Sequence, residues 1–121
     1  MTAPGKDQGM SVSYFIRYVA DTKEPETFLN YYRTKHAEIM KKYPRVRGFK
    51  LHLPVEWHDP VPVNKDKIFM LGEFVFDSLE DLNFALASEA RLEARADVKY
   101  LPNVLENADI RHLAVKTEVL F

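Results

Sequence analysis

Apolar and polar residues follow a strand-like pattern in four stretches of the chain. These stretches are rich in β-branched and aromatic residues and are bounded by turn-forming residues, a combination typical of β-strands. The predicted strands cover residues 11–20, 46–53, 68–77 and 110–121. The third stretch is apolar at both alternating sets of positions, whereas a strand with one face in water is apolar at only one of them. We therefore expect both faces of the sheet to be covered.

Two helices are predicted between these strands. Apolar residues three and four positions apart predict the first helix over residues 25–43, with Pro44 as its stop. Its apolar stripe consists of Phe28, Leu29, Tyr32, His36, Ile39, Met40 and Tyr43. Two overlapping capping-box spacings at residues 77–81 predict a second helix that runs to about residue 96. A short helical piece is expected at residues 98–105.

The resulting element order, βαββαβ, predicts an α+β fold of the ferredoxin-like type. In this arrangement a four-stranded antiparallel sheet carries both helices on one face. A second copy of the same sheet is the simplest cover for the other face. We therefore expect a homodimer in which two sheets close into a dimeric α+β barrel with the helices outside.

Length and composition limit the classes of function. The 121 residues and 14.1 kDa suit one domain, which we place at residues 11–121 after a disordered leader at residues 1–10. The absence of Cys excludes zinc fingers, iron–sulfur clusters, cysteine nucleophiles and disulfide scaffolds. A net charge of −1 with interleaved signs gives no footprint for nucleic acid. No signal peptide or bilayer-spanning run occurs, so we expect a cytoplasmic protein that binds neither nucleic acid nor membranes.

His36 is the first candidate for chemistry, because it belongs to the apolar stripe of the first predicted helix. An imidazole between helix and sheet is suited to general-base catalysis, and the Tyr32 phenol one turn before it is suited to substrate binding. Position alone favours a hydrogen-bonded core histidine over a catalytic one, because buried polar groups are satisfied far more often than they are reactive.

Tyr14 and Tyr18 share one face of the first predicted strand. Their hydroxyls are candidates for orienting a carbonyl or phenolic ligand, Tyr14 in substrate binding and Tyr18 in catalysis. Aromatic residues on a half-buried strand are also ordinary packing, and the residues alone favour that interpretation.

Arg17 and Glu73 are charged residues within otherwise apolar strands that are neighbours in this topology. Pairing of the two side chains on the face opposite the helices is the interpretation we favour. In the alternative, Glu73 orients an imidazole and belongs to the substrate site.

A proline-rich loop at residues 54–67 follows the second predicted strand and contains the only Trp. Long irregular loops in compact domains are often functional. His52, Trp57 and His58 are therefore candidates for the rim of a pocket, with His52 assisting catalysis and Trp57 acting as a lid. An ordinary surface loop fits the pattern about as well. His112, in the fourth predicted strand, has no evident partner.

Motifs for metals and cofactors are missing from the sequence. The four His residues show none of the short spacings typical of metal ligands. No glycine-rich phosphate loop and no nucleophile-elbow motif occurs. We therefore expect neither a metal nor a cofactor.

The segment at residues 28–52, FLNYYRTKHAEIMKKYPRVRGFKLH, resembles the signature of the EthD family within the dimeric α+β barrel superfamily. The shared features are a helix with an aromatic pair, a basic residue and a His-Ala, followed by a Pro and a strand-opening Arg-Gly. Further resemblance lies at residues 76–78, 87–91 and 101–103. The similarity covers most of the chain from residue 11 onward, and its most specific element is His36.

This resemblance implies the fold derived above, a homodimer, and a pocket between sheet and helices that contains His36. With it, the leading hypothesis is a cofactor-independent enzyme in which His36 removes and returns a proton α to the carbonyl of a small cyclic or aromatic compound, in an isomerisation or dehydration. Tyr18, Tyr14 or His52 would stabilise the enolate oxygen. One alternative is a non-catalytic dimeric barrel that binds a small hydrophobic ligand or accompanies an oxygenase system. Another is a monooxygenase, either haem-dependent or cofactor-free.

Overall fold

The computed structural model describes residues 11–121, so the predicted leader lies outside the described residues. Four strands form one antiparallel sheet in the order β2-β3-β1-β4. Their bounds are β1 (Val12–Asp21), β2 (Gly48–His52), β3 (Met70–Phe76) and β4 (Glu106–Lys116). This order, with the two helical connections on one face, confirms the predicted ferredoxin-like α+β fold.

The helices connect β1 to β2 and β3 to β4. The first connection is one continuous helix made of α1 (Pro25–Tyr31), a π-helical turn (Tyr32–His36) and α2 (Ala37–Met40). The second connection contains α3 (Leu79–Leu86), α4 (Glu89–Asp97) and a 3₁₀ turn (Val98–Tyr100). Across residues 11–121, no helix has both the length and the apolar composition needed to cross a bilayer.

The prediction of a single second helix, ending near residue 96, was wrong, because a second cap divides it into α3 and α4. Ser88 Oγ accepts a hydrogen bond from the backbone N–H of Arg91 at 3.2 Å, which starts α4 afresh. The predicted cap at the start of α3 is confirmed, since Ser78 Oγ accepts from the backbone N–H of Asp81 at 3.1 Å.

Three other element boundaries differ from their predictions. The first helix ends at Met40, and a tighter turn follows in which the backbone amides of Lys42 and Tyr43 bond three residues back. The helical piece predicted at residues 98–105 is a single 3₁₀ turn, because a proline with no N–H follows it. The fourth strand covers Glu106–Lys116 rather than residues 110–121. The other strand ends agree with the prediction within two residues.

The core lies between the sheet and the helices. Met70, Phe74 and Phe76 alternate along β3 toward the helices and are fully buried. The ring of Phe74 stacks on Tyr43 at a centroid distance of 4.6 Å. The predicted stripe of the first helix is confirmed, with Ile39 alone only half-buried.

The opposite side of the sheet, which we call the helix-free face, also carries apolar side chains. Phe15 of β1 lies in register with Leu113 of β4, and Leu71 and Val75 of β3 alternate away from the helices. Leu113 keeps 54% of its surface exposed. Both faces of the sheet therefore carry apolar side chains, although the helices cover only one.

Gly72 of β3 provides space for the core, and we expect Gly72→Ala to destabilise the protein by about 1–3 kcal/mol. A Cβ at this position would lie 2.8 Å from the ring of Phe49 and 3.2 Å from the hydroxyl of Tyr32. Urea denaturation measures the loss. Gly48→Ala is the matched control, because a Cβ there meets nothing within 4 Å. Equal stability of the two variants would contradict the packing argument.

Candidate active site

A cavity of about 320 Å³ lies between the sheet, the first helix and α4. This volume is at the lower end of the range for small-molecule sites. The lining residues are Tyr14, Ile16, Tyr18, Tyr32, His36, Met40, Tyr43, Arg91, Ala94, Arg95, Val98, Ile110 and His112. The exposed members of this set lie on α4, on the 3₁₀ turn that follows it and on the edge strand β4, so the cavity opens between the end of α4 and β4.

His36 is buried on the cavity wall and is held by a carboxylate. The π-helical turn that contains it is a local helix form often found at functional sites. His36 Nδ1 lies 2.9 Å from Asp97 Oδ2, at the end of α4. The other oxygen of Asp97 accepts a hydrogen bond from the Tyr31 hydroxyl at 3.0 Å. Asp97 is itself buried and Tyr31 is half-buried, so Tyr31, Asp97 and His36 form a connected polar chain that runs inward to the cavity wall.

This arrangement fixes the tautomer of His36. A carboxylate accepts a proton, so Nδ1 of the neutral ring carries the hydrogen and Nε2 carries the free lone pair. Since Nδ1 is occupied by Asp97 and the ring lines the cavity, Nε2 is the nitrogen available to a ligand. A carboxylate that orients an imidazole in this way is the pattern of a histidine general base.

Three of the cavity tyrosines, Tyr18, Tyr32 and Tyr43, are held in their neutral form. Burial raises the pKa of Tyr18, partly offset by the Arg95 charge. Burial also raises the pKa of Tyr32 well above its usual range, with Tyr18 and Tyr43 adding to the effect. The pKa of Tyr43 is raised by burial to about 12. These hydroxyls therefore remain hydrogen-bond donors at neutral pH.

Tyr18 is the tyrosine best placed to donate to a ligand. The residue is only 5% exposed. Within residues 11–121 the tyrosine hydroxyls that make hydrogen bonds to other side chains are those of Tyr14, Tyr31 and Tyr32, whereas that of Tyr18 makes none. The Tyr14 hydroxyl is already engaged, because it lies 2.6 Å from His112 Nδ1. Sharing of one strand face by Tyr14 and Tyr18 is confirmed, and both side chains contribute to this cavity.

His112 has a partner that the sequence did not indicate. Burial, followed by the charges of Arg95 and Arg91, lowers the pKa of His112, so the ring is neutral at pH 7. Because Nδ1 shares its hydrogen bond with the Tyr14 hydroxyl at 2.6 Å, Nε2 is the second polar atom of this ring. His112 therefore adds a polar group at the open side of the cavity.

His52 and Glu73 do not join this cavity and instead lie on the helix-free face. Glu73 accepts hydrogen bonds from Ser13 Oγ at 2.7 Å and from His52 Nε2 at 2.9 Å. Burial opposes ionisation of Glu73, but the bonds from Ser13 and His52 and the charge of Lys50 outweigh it and lower the pKa. Glu73 thus orients an imidazole, but the ring is that of His52 and not that of His36.

The favoured pairing of Arg17 with Glu73 was wrong. The Arg17 guanidinium lies 2.7 Å from the carboxylate of Asp66 and donates a hydrogen bond to it. Asp66 lies in the loop before β3. The register explains the difference, because Arg17 lies opposite Leu71 on β3 while Glu73 lies opposite Phe15. Their side chains share a face but are offset along the strands, and each finds a nearer partner.

Trp57 does not cover the His36 cavity. Its ring lies under Lys65 Nζ at 4.6 Å, and the same ammonium donates to the Trp57 carbonyl at 2.8 Å. These two residues contribute to a separate loop cavity that shares no lining residue with the first. His58 is exposed in the same loop.

Sequence reasoning missed Asp97, Arg91 and Arg95 as site residues. All three lie on α4, where Arg91 and Arg95 are one helical turn apart and line the cavity. Their spacing was visible, but which face of the helix met the sheet was not. Across the described part of the chain, no group of three His, Asp or Glu side chains is arranged to hold a metal ion.

Comparisons with known proteins agree on the family and on the fold. The model of the EthD domain matches residues 20–101. An EthD family protein from Bacillus halodurans C-125 superposes with a TM-score of 0.62 at 20% identity, over 86% of this chain and 97% of its own. Among curated proteins, none matches the sequence significantly.

Two further solved structures share the fold at lower identity. SnoaB, a cofactor-independent oxygenase from Streptomyces nogalater, has a TM-score of 0.53 and 15% identity, over 88% of this chain and 91% of its own. A dimeric protein of unknown function with a ferredoxin-like fold, from Bacteroides fragilis NCTC 9343, has a TM-score of 0.53 and 13% identity, over 87% and 96%.

Proposed function

This chain belongs to the EthD family. We propose that it is an enzyme of small-molecule metabolism that removes and returns a proton on the carbon next to the carbonyl group of a cyclic or aromatic compound. The observation that carries the proposal is the buried pair of His36 and Asp97 on the wall of a cavity of ligand size. No step of this chemistry needs a cofactor, since base, donor and cavity come from the chain itself.

In the proposed mechanism, His36 Nε2 removes the proton next to the carbonyl and Asp97 stabilises the imidazolium that forms. The negative charge moves to the carbonyl oxygen, which accepts a hydrogen bond from the Tyr18 hydroxyl. The imidazolium then returns the proton to another position of the conjugated system, or assists loss of a hydroxyl. These two outcomes are isomerisation and dehydration. His52 has no part in this step, because it lies on the helix-free face.

Hydrogen exchange tests the proposal without knowledge of the product. The protein is incubated in D₂O with separate sets of cyclic ketones, lactones, phenols and quinones, and proton NMR follows the acidic C–H signals. We expect protein-dependent loss of the α-proton signal in one set, and none with heat-denatured protein. Binding without exchange in every set would instead indicate a non-catalytic ligand-binding barrel.

Cofactor-free oxygenation is the second candidate, and it begins with the same deprotonation. An enolate is electron-rich and can react with O₂. The fold is similar to that of the cofactor-independent oxygenase SnoaB, so we distinguish oxygenation from proton transfer by experiment. An oxygen electrode distinguishes the two. Oxygen consumption that depends on both protein and substrate would favour the oxygenase, and exchange without consumption would favour the isomerase or dehydratase.

We also propose that the helix-free faces of two copies pack together in a homodimer. This face holds a cavity of about 380 Å³. It is lined by the apolar residues Phe15, Ile68, Leu71 and Leu113, with the Arg17–Asp66 ion pair beside them. The B. fragilis protein with this fold is dimeric. A second sheet would remove the exposed Leu113 from water, which the helices of its own chain cannot do.

Leu113→Glu is expected to convert the dimer into a monomer, because it would place a carboxylate in the centre of the apolar contact. Sedimentation should give twice the 14.1 kDa chain mass for the wild type and the single mass for the variant. Leu92→Glu, at a position 68% exposed on α4, is the control that should remain dimeric. A wild-type mass of one chain at micromolar concentration would contradict the proposal.

A further inference from the structure

Two arginines differ from the others in that they form no ion pair with a described carboxylate. The chain has seven arginines, and five of them have a carboxylate oxygen within 4.0 Å; these are Arg17, Arg33, Arg45, Arg47 and Arg111. Within residues 11–121, neither Arg91 nor Arg95 has such a partner. Both line the His36 cavity.

The described lining of the cavity has no acid to balance this charge. Among residues 11–121, the thirteen that line it include two arginines and no Asp or Glu. Asp97, which binds His36, is occupied on one oxygen by His36 and on the other by Tyr31. Burial lowers the pKa of His112, and the charges of Arg95 and Arg91 lower it further, because both guanidinium groups lie near this ring on the cavity wall. The site thus combines a net positive charge with aromatic walls, a setting that favours anions over neutral molecules.

We propose that the cavity binds its ligand as an anion, an aromatic or conjugated cyclic molecule with an ionised oxygen that contacts Arg91 and Arg95. Arg91 is half-buried, with its guanidinium 5.7 Å from the Tyr14 ring, and Arg95 is at the open side. A planar oxyanion matches the fork of N–H donors that a guanidinium presents. Aromatic walls from Tyr14, Tyr18 and Tyr43 suit a flat ring next to it.

This inference rests on the proposed function and narrows its substrate class. The same guanidinium charges that hold an ionised substrate would also stabilise the oxyanion that forms when His36 removes a proton. A carboxylate and a phenolate offer the same chemistry to the arginines. The experiment must therefore separate these two sources as well as anions from neutral molecules.

Calorimetric titration with matched probes provides the test. Benzoate and benzamide differ mainly in charge, and 4-nitrophenolate and 4-nitroanisole form the corresponding phenolate pair. We expect at least one anion to bind about 10-fold or more tightly than its neutral counterpart, a difference of about 1.4 kcal/mol. The anion that binds more tightly shows whether the ionised oxygen of the ligand belongs to a carboxylate or to a phenolate. Raising salt from about 50 to about 500 mM should weaken anion binding and leave neutral binding unchanged.

The double variant Arg91→Gln, Arg95→Gln should lose the preference for the anion. Arg33→Gln is the matched control, because Arg33 is exposed and pairs with Glu26 on the same helix. Equal binding of anion and neutral probe by the wild type, an anion preference that persists in the folded double variant, or no anion binding at all would each overturn the inference.

The proposed function can fail independently of this inference. Anion preference depends on the arginines, whereas hydrogen exchange depends on His36. Preference for anions without proton exchange would support the anion site and contradict the proposed enzyme. Equal exchange of protons from neutral and anionic compounds would support the enzyme and contradict the anion site.

Discussion

Replacement of His36 by asparagine is expected to lower kcat/KM for the exchange reaction by about 10²- to 10⁴-fold, the usual contribution of a general base. An asparagine amide nitrogen takes approximately the position of imidazole Nδ1, so a donor to Asp97 is retained. The variant has nothing in place of the basic Nε2. Catalysis should therefore fall far more than stability, and the midpoint of thermal unfolding measured alongside the rate separates the two effects.

His58→Asn is the matched control for this experiment. His58 is exposed in the loop that follows β2, away from the cavity, and its replacement should leave the exchange rate within a factor of two or so of wild type. Unchanged exchange by His36→Asn would remove His36 as the base. A fall in rate matched by extensive unfolding would show instead that His36 is chiefly a structural residue.

Phe74→Ala is expected to cost about 3–5 kcal/mol of unfolding free energy, as truncation of a fully buried phenylalanine usually does. Phe74 is fully buried at the centre of β3. Its ring lies 4.6 Å from that of Tyr43 and 4.7 Å from that of Phe49, measured between centroids. Truncation leaves a cavity between β3, β2 and the turn that follows the first helix. For a domain whose total stability is about 5–15 kcal/mol, this loss is a large part of the whole.

Phe84→Ala supplies the comparison for the same chemical change at the surface. Phe84 is 51% exposed on α3, and its main contact is the Arg45 guanidinium 3.8 Å from the ring centroid. Its loss should cost less than about 1 kcal/mol. Urea denaturation of both variants gives the two values. A Phe74→Ala loss as small as that of Phe84→Ala would mean that the core relaxes into the space, contrary to the close packing described above.

The local pattern of the chain determined the elements and their faces. Strand and helix periodicities depend on neighbours in sequence, so the order βαββαβ and the inward position of His36 could be predicted from the residues alone. The apolar character of both sides of β3 was visible for the same reason. Element ends were less well determined, because the cap at Ser88 competes with the continued helix and only packing decides between them.

Which residues come together at the His36 cavity could not be predicted from the sequence. His36 and Asp97 are 61 positions apart, and their contact exists only because α4 packs against the first helix. The same packing brings Arg91 and Arg95 to the cavity, and the pairing of β1 with β4 brings Tyr14 to His112. No spacing along the chain encodes such contacts.

Tertiary structure also separated residues that the sequence placed together. Alternation along a strand states which residues share a face, but which face meets the helices is decided by the packing of the whole sheet. His52 and Glu73 fall on the helix-free face, and Trp57 packs against Lys65 in its own loop. The fold and the candidate base could thus be predicted from the residues alone. The partners of that base and the charge around it could not, because both arise from contacts between elements distant in the chain.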